Sequence, residues 1–272
     1  MRTFTPARRS TIVAALMILL LGACADPQAE PTGVSAFGHV HGLGLNSKDG
    51  RLYVATHNGL FVVDDGEAQR VGHLEHDLMG FAVVGPDTFL ASGHPASGDL
   101  PDPMGLVRSD DDGLSWEPVS LVGESDLHSL DVEDDTIAAY DSTASRVLFS
   151  KDAGRTFDTL ATIEAIDTAL LDADTVLVAG TDGVLSLVDV EGSERLEGTP
   201  GLAFVDRASQ GLAALGPDGQ VWVSGDARSW SGRGQLDGVP AALETGGRRW
   251  HAATSTGIYT SSDEGASWEK VL

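Results

Sequence analysis

The sequence predicts an all-β fold, a six-bladed β-propeller, and two repeated patterns carry this prediction. One is a phrase of the form Ser-x-Asp-x-Gly-x-Ser/Thr-Trp/Phe, which begins at Ser109, Ser150 and Ser261, with a shortened copy at Ser224. The other is a short apolar strand that is opened by a turn residue and occurs six times, 36 to 46 residues apart. Repeats of this length are typical of propellers and solenoids, and four short strands per repeat fit one blade.

The N-terminal residues have a different character, which predicts export. Arg2, Arg8 and Arg9 precede an uninterrupted apolar run at residues 12–21, and small residues follow it. A charged start, a short apolar run and small residues are the marks of a secretory signal peptide, and the run is too short for an ordinary membrane span. We therefore predict three segments: a signal peptide at residues 1–23, a flexible tether at residues 24–35, and the propeller at residues 36–272.

The phrase Leu21-Gly22-Ala23-Cys24 resembles the lipobox of bacterial lipoproteins. The resemblance implies that Cys24 becomes the lipidated first residue of the mature protein, which is then exported and anchored to the cell membrane on its outer side. The alternative is a plain signal peptide with an incidental cysteine. Since Cys24 is the only cysteine, the fold has no internal disulfide and must rest on blade packing and ring closure.

The strands of the first repeat can be placed individually. They are expected at residues 41–45, 51–56, 60–63 and 69–74. The second and third are joined by His57-Asn58-Gly59, where the Asn-Gly pair favours positive φ. Helical periodicity is essentially absent after residue 30. Because a single blade cannot bury both of its faces, the six blades are expected to fold as one domain.

The repeated phrase falls between the third and fourth strands of a blade and has a structural explanation. Its aspartate can accept hydrogen bonds from turn amides, its glycine takes a conformation closed to other residues, and its aromatic residue packs onto the blade. The phrase resembles the Asp-box of sialidases, sortilin-like receptors and other propeller proteins. We therefore predict structural roles for the aspartates of the four copies, which are Asp111, Asp152, Asp226 and Asp263.

The charge balance argues against two classes of partner. The chain has 17 basic and 41 acidic side chains and a formal net charge of −24. Such a surface repels nucleic acid and the anionic face of a membrane, so membrane contact is expected only through the lipid on Cys24. An acidic surface suits cations, although solubility alone explains most of these residues.

The histidines depart from the repeat and point to the functional site. Seven of the eight lie between His39 and His128, in the first three predicted blades. They fall mainly in segments that lead into the first strand of a blade or join its second and third strands. These segments emerge on the face opposite the repeated phrases. We look for function on this face, because the propeller fold itself hosts unrelated activities.

A transition metal, copper or zinc, is the favoured ligand of this face. His39 and His41 are two residues apart, so in a strand their side chains point the same way and can share one ion. Imidazole suits both metals, and a thioether such as that of Met79 shifts the preference toward copper(I). The predicted metal ligands are His39, His41, His57, His94 and His128, with Asp77 and Met79 as supporting groups.

The histidine-bearing phrases resemble those of exported bacterial Asp-box proteins, which are usually labelled glycosylhydrolase-like or sialidase-like. The resemblance covers essentially the whole mature chain. Its most specific parts are His39-Val40-His41-Gly42-Leu43-Gly44-Leu45 and Ala91-Ser92-Gly93-His94-Pro95. It implies a propeller lipoprotein. The label implies glycan hydrolysis, but it derives from the Asp-box, which we interpret as a folding element.

Two other functions stay open. Asp77, Glu124 and Asp126 lie on the same predicted face, and two carboxylates whose pKa values are driven apart can serve as the acid and base of a glycoside hydrolase. Sialidase chemistry is poorly matched, since no arginine lies where the first strands of blades one to three begin. The remaining function is a scaffold that docks a protein partner on this face, which the loop at residues 95–103 would overhang.

Overall fold

The computed structural model describes Met1, residues 37–98 and residues 100–272. These residues form 24 β-strands in six four-stranded sheets, with no helix among them. The prediction of an all-β, six-bladed propeller is confirmed. No helix within the described residues is long and apolar enough to cross a membrane. The predicted signal peptide after Met1, the tether and Cys24 lie outside the described residues.

Each blade is an antiparallel meander of four consecutive strands. Blade 1 contains β1 Val40–Leu45, β2 Leu52–Thr56, β3 Gly59–Asp64 and β4 Glu67–Arg70. Blade 2 contains β5 Asp77–Gly85, β6 Thr88–His94, β7 Leu106–Ser109 and β8 Glu117–Ser120. Blade 3 contains β9 Leu127–Glu133, β10 Thr136–Asp141, β11 Arg146–Ser150 and β12 Asp158–Thr162.

The second half of the ring repeats this order. Blade 4 contains β13 Ala165–Leu170, β14 Val176–Gly180, β15 Leu185–Asp189 and β16 Gly192–Arg195. Blade 5 contains β17 Phe204–Ala208, β18 Gly211–Leu215, β19 Gln220–Ser224 and β20 Trp230–Gln235. Blade 6 contains β21 Pro240–Glu244, β22 Trp250–Thr254, β23 Gly257–Ser261 and β24 Glu269–Lys270.

The first strand of each blade lies innermost, and the six inner strands surround a central channel. Each contacts the inner strand of the next blade, and β1 contacts β21, which closes the ring. Apolar side chains from blades 1 and 6 pack together at this closure, among them Val54, Phe61, Ala253 and Ile258. Ring closure therefore rests on side-chain packing between complete blades.

One strand boundary was predicted wrongly. The fourth strand of blade 1 was expected at residues 69–74, but β4 ends at Arg70. Gly72 has a φ of 64°, which turns the chain away from the sheet and toward blade 2. The apolar Val71 and Leu74 pack against the core from this connection, so their hydrophobicity reflects burial outside a strand.

The repeated phrases close the hairpins between the third and fourth strands of blades 2, 3, 5 and 6. In blade 3, Asp152 accepts hydrogen bonds from Thr156 N at 2.9 Å, Thr156 Oγ1 at 2.7 Å and Ser150 Oγ at 2.8 Å. These bonds, led by that from the Thr156 amide, lower the pKa of Asp152 to about 2. Asp111 and Asp263 accept the same set from their own hairpins, and Asp226 accepts two turn amides and a serine hydroxyl.

The glycine of the phrase marks a close approach between blades. Gly154 has a φ of 79°, and a Cβ atom there would lie 2.3 Å from Leu106 Cδ2 on blade 2. Gly198, between blades 4 and 5, has nearly the same φ of 80°, but a Cβ atom there would meet nothing within 4 Å. Comparing substitutions at these two glycines therefore separates the effect of backbone strain from the effect of packing.

Alanine at Gly154 is expected to destabilise the protein more than alanine at Gly198. Both variants place a side chain in the left-handed region, at a cost of about 1–2 kcal/mol. Gly154→Ala also pushes a methyl group into Leu106, and overpacking of this kind adds about 1–3 kcal/mol. Urea unfolding of the two variants measures the difference. Equal losses of stability would show that the approach of the two blades is not tight at Gly154.

Candidate functional site

The predicted site residues lie on the face opposite the hairpins that the repeated phrases close, which we call the phrase hairpins. In an antiparallel meander, the turns from second to third strand and the segments leading into the first strand share one face. His57 lies in the turn between β2 and β3, Asp77 begins β5, and His94 ends β6. His41 and His128 lie near the starts of β1 and β9. The topology therefore brings residues from three blades to one rim.

A β-bulge near the start of an inner strand positions several of these side chains. Pairing of β1 with β2 shifts between Val40 and Gly42, so His41 is the extra residue. The same shift leaves one residue unpaired in four further inner strands, namely Met79, His128, Ile166 and Ala241. Bulges redirect side chains beside functional sites. Together with Phe204, the first residue of β17, these five bulged residues line a cavity of about 770 Å³ at the channel mouth, and we call the six residues the mouth ring.

Asp77 is the centre of a first cluster. Its Oδ2 atom lies 2.7 Å from His57 Nδ1, and its Oδ1 atom lies 3.4 Å from His41 Nε2. His41 Nε2 and Asp77 Oδ1 are both buried, and neither makes a hydrogen bond. One ligand atom from each of the three side chains can be chosen so that all three lie within 4.8 Å of one another. We call His41, His57 and Asp77 the Asp77 cluster.

Asp126 is the centre of a second cluster one blade further on. Its Oδ2 atom lies 2.6 Å from His128 Nε2, 3.4 Å from His94 Nε2 and 3.1 Å from Ser142 Oγ. His94 also contacts Asp102 in the long loop of blade 2, with Nδ1 and Oδ1 2.6 Å apart. Five of the seven predicted metal ligands thus fall into two groups rather than around one ion, and the other two, His39 and Met79, belong to neither group.

The histidines of the two clusters have different proton affinities. Burial lowers the pKa of His41, and His128, His39 and His57 lower it further, while Asp77 opposes them. The contact with Asp102 raises the pKa of His94. His41 is therefore a neutral imidazole at pH 7 and can donate a lone pair, whereas His94 holds a proton more readily.

The other histidines and Met79 occupy several environments. His39 is exposed, with its ring centre 6.3 Å from that of His41 and 6.4 Å from that of His57, outside the Asp77 cluster. Met79 lines the mouth cavity. His76 is buried, and its Nδ1 atom accepts a hydrogen bond from Ala96 N, which holds the long loop. His73 is exposed on the blade 1 to blade 2 connection.

The three weak catalytic candidates are not equivalent. Asp77 and Asp126 contact histidines, while Glu124 is exposed in a turn. Burial acts to raise the pKa of Asp126, but its hydrogen bond with His128 and the charges of His128 and His94 outweigh burial and leave the pKa lowered. A general acid needs a raised pKa, so Asp126 is poorly suited to protonate a leaving group.

A group of carboxylates inside the channel was missed by sequence reasoning. Four partly buried acidic residues on the inner strands of blades 3 to 6 line a channel of about 470 Å³, and they are Asp131, Asp167, Asp206 and Glu244. Burial raises the pKa of all four, those of Asp167 and Glu244 to about 7. Three of them also accept an amide hydrogen bond from the next blade, at Leu170, Val205 and Thr245. Their spacing of 36, 39 and 38 residues follows the blade period and could have revealed them.

Comparisons with known proteins identify the class of fold. No protein-family model matches the chain, and no curated protein matches it. A gluconolactonase from Xanthomonas campestris is similar in structure, with a TM-score of 0.66 and 16% identity over 82% of this chain and 86% of that chain. A virginiamycin B lyase from Staphylococcus aureus has a TM-score of 0.58 and 12% identity over 86% and 84%.

A third similar structure is YCF48 bound to a D1 peptide, with a TM-score of 0.54 and 13% identity over 86% of this chain and 82% of that chain. At such identities the likeness concerns the fold alone. The predicted family resemblance is therefore confirmed only as far as the β-propeller. Membership of the exported Asp-box lipoproteins stays a prediction.

Proposed function

We propose that the protein binds a divalent transition metal, zinc or copper, at the Asp77 cluster. The observation that carries the proposal is the pair of buried atoms, His41 Nε2 and Asp77 Oδ1, which lie 3.4 Å apart without a hydrogen bond to any group. Buried polar atoms of this kind ordinarily have a partner. A cation between the two would satisfy both.

The distances fit such an ion. Nitrogen and oxygen ligands lie about 2.0–2.1 Å from zinc, so two ligands at tetrahedral positions are about 3.4 Å apart. This is the separation of His41 Nε2 and Asp77 Oδ1. His57 is exposed and can move the short distance that brings it into contact with the ion. Three protein ligands would leave one position open.

The donor set favours a divalent ion over copper(I). Two imidazoles and a carboxylate are borderline and hard ligands, which suit zinc and copper(II). Met79, which led us to consider copper(I), lines the mouth cavity together with His41 but is not one of the three clustered ligands. The lowered pKa of His41 supports metal binding at neutral pH, since metals bind the deprotonated ring.

We infer that this site acts outside the cytoplasm. The support is sequence alone: a signal peptide followed by Cys24 in a lipobox-like phrase, with lipidation anchoring the protein to the membrane. A short tether would leave the propeller free to meet metal ions or a partner at the cell surface.

Titration of the purified full-length protein with zinc and copper(II) tests the proposal. We expect one ion per chain with a dissociation constant below about 10 µM. Weak adventitious contacts would give dissociation constants of about 10 µM or higher. His41→Ala should abolish this binding, and His73→Ala, which removes an exposed histidine elsewhere, should leave it intact. Equal affinities for the two variants would contradict the proposal.

Protein docking is the second candidate. Ile166 and Val239 are large apolar residues that remain exposed at the channel mouth. Their relative solvent exposures are 36% and 64%. The similar propeller of YCF48 was solved with a peptide bound, which supports peptide docking as a use of this fold. If no metal binds, capture of a partner on this face becomes the leading function.

A further inference from the structure

The mouth ring is divided into two chemically different halves. Its members come one from each blade and are 38, 49, 38, 38 and 37 residues apart. Blades 1 to 3 contribute the donor-bearing side chains, which are His41, Met79 and His128. Blades 4 to 6 contribute the apolar side chains, which are Ile166, Phe204 and Ala241. The same position near the start of each inner strand therefore carries donor-bearing side chains in blades 1 to 3 and apolar side chains in blades 4 to 6.

Val239 extends the apolar half. It immediately precedes β21, lines the same cavity as Ile166 and Phe204, and is one of the few large apolar residues that the described surface exposes. We call Ile166, Phe204 and Val239 the apolar shelf. Single exposed apolar residues are ordinary, but these converge on one concave site, and concave apolar surface beside polar groups is typical of small-molecule sites.

We propose that the mouth binds a small organic molecule that has an anionic oxygen donor and an apolar body. The donor would occupy the open position of the metal at the Asp77 cluster, and the body would lie on the apolar shelf. The inference rests on the proposed metal site. The mouth cavity of about 770 Å³ lies within the range of about 300–1,000 Å³ that is usual for such ligands.

Charge also favours an anionic donor. A divalent ion with Asp77 as its only anionic ligand keeps a net charge of about +1, because the two imidazoles are neutral when they coordinate. A monoanionic donor would neutralise this charge inside a partly enclosed cavity, where an uncompensated charge is costly. A purely apolar molecule would leave the open metal position to water.

Alkyl hydroxamates are suitable probes, because their head group coordinates zinc and their chain length can be varied. We expect octanohydroxamate to bind the zinc-loaded full-length protein at least 30-fold more tightly than acetohydroxamate, since burial of three of its six extra methylenes, at about a factor of four each, already exceeds this ratio. The zinc-free protein should bind both at least 30-fold more weakly. Calorimetric titration measures the four affinities.

A pair of matched variants tests the shelf separately from the metal. Ile166→Ser combined with Val239→Ser should reduce the preference for the longer chain to less than 5-fold while leaving zinc affinity unchanged. Val190→Ser replaces an exposed valine in the distant β15–β16 hairpin and should retain the full preference.

The outcomes distinguish the two proposals. If zinc binds but both hydroxamates bind alike, the shelf proposal is overturned and the metal site stands. If zinc does not bind in a direct titration, the metal proposal itself fails, and the ligand proposal fails with it. Equal binding of octanohydroxamate with and without zinc would also overturn the ligand proposal, because the donor would then have no part in recognition.

Discussion

Asp77→Asn is expected to lower the affinity for zinc at least about 100-fold without unfolding the protein. The substitution keeps the shape of the side chain but removes the only anionic ligand of the Asp77 cluster. One oxygen of Asp77 faces His41 Nε2 and the other contacts His57 Nδ1, so in the proposed site the carboxylate would both bind the ion and orient a histidine. Loss of a group that orients a ligand typically costs 10- to 100-fold in metal affinity, and the substitution also removes a ligand.

Asp102→Asn provides the matched control. Asp102 also lies 2.6 Å from a histidine, His94, on the same face, but it belongs to the neighbouring cluster. We expect its zinc affinity to stay within about 3-fold of the wild type. Calorimetric titration at pH 7.5, with a thermal melt of each metal-free variant, separates lost ligation from lost folding. Similar zinc affinities for Asp77→Asn and Asp102→Asn would show that the Asp77 cluster does not hold the metal.

Glu244→Gln is expected to stabilise the protein at pH 8 and to have little effect at pH 4.5. Burial, opposed by the hydrogen bond from Gly246 N and assisted by the charge of Asp131, raises the pKa of Glu244 to about 7. The carboxyl group accepts a hydrogen bond from Gly246 N through Oε1, which the glutamine oxygen can preserve. Because Glu244 is only partly buried, we expect a gain on the order of 1–2 kcal/mol rather than the full value of the pKa shift.

The direction of the pH effect follows from proton binding. An unfolded glutamate loses its proton near pH 4.5, while folded Glu244 keeps it until about pH 7. Between these values the folded state binds more protons, so the free energy of unfolding of the wild type falls as pH rises. Asp167, with its pKa also raised to about 7, acts in the same direction.

The phrase hairpins act in the opposite direction at lower pH. Hydrogen bonds lower the pKa of Asp152 and Asp263 to about 2, so their contribution is present above about pH 4 and is lost as pH falls toward 2. Burial lowers the pKa of His251 to about 4, so this one histidine favours stability as pH rises from 4 to 6.5, but four channel acids oppose it. We therefore expect maximal stability near pH 4–5. Thermal melts from pH 3 to pH 8 in the presence of a chelator test this, with Glu124→Gln as an exposed control. A melting temperature that rises steadily from pH 5 to pH 8 is incompatible with buried, proton-holding channel acids.

Repetition explains why so much of the fold could be predicted. Each copy of the phrase indicates a hairpin, and each apolar strand that begins at a turn residue indicates a blade. The number of blades and the positions of the hairpins therefore followed from the spacing of these patterns. The face that carries His41, His57 and His94 also followed, because the order of strands in a meander fixes which turns share a face.

The partners within the site could not be predicted in the same way. His41 lies at a β-bulge, which changes the strand alternation on which the pairing of His39 with His41 was based. The division between the Asp77 and Asp126 clusters depends on distances between blades, which no spacing along the chain encodes. The channel acids were missed because aspartates were interpreted as turn residues, although Asp131, Asp167 and Asp206 lie within inner strands.

Anomalous diffraction from crystals of the full-length protein soaked in zinc tests the central claim most directly. We predict a zinc peak at the channel mouth, about 2.0–2.1 Å from His41 Nε2, Asp77 Oδ1 and a nitrogen of His57. A zinc peak only at an exposed histidine such as His73, or no peak at the mouth, would contradict it.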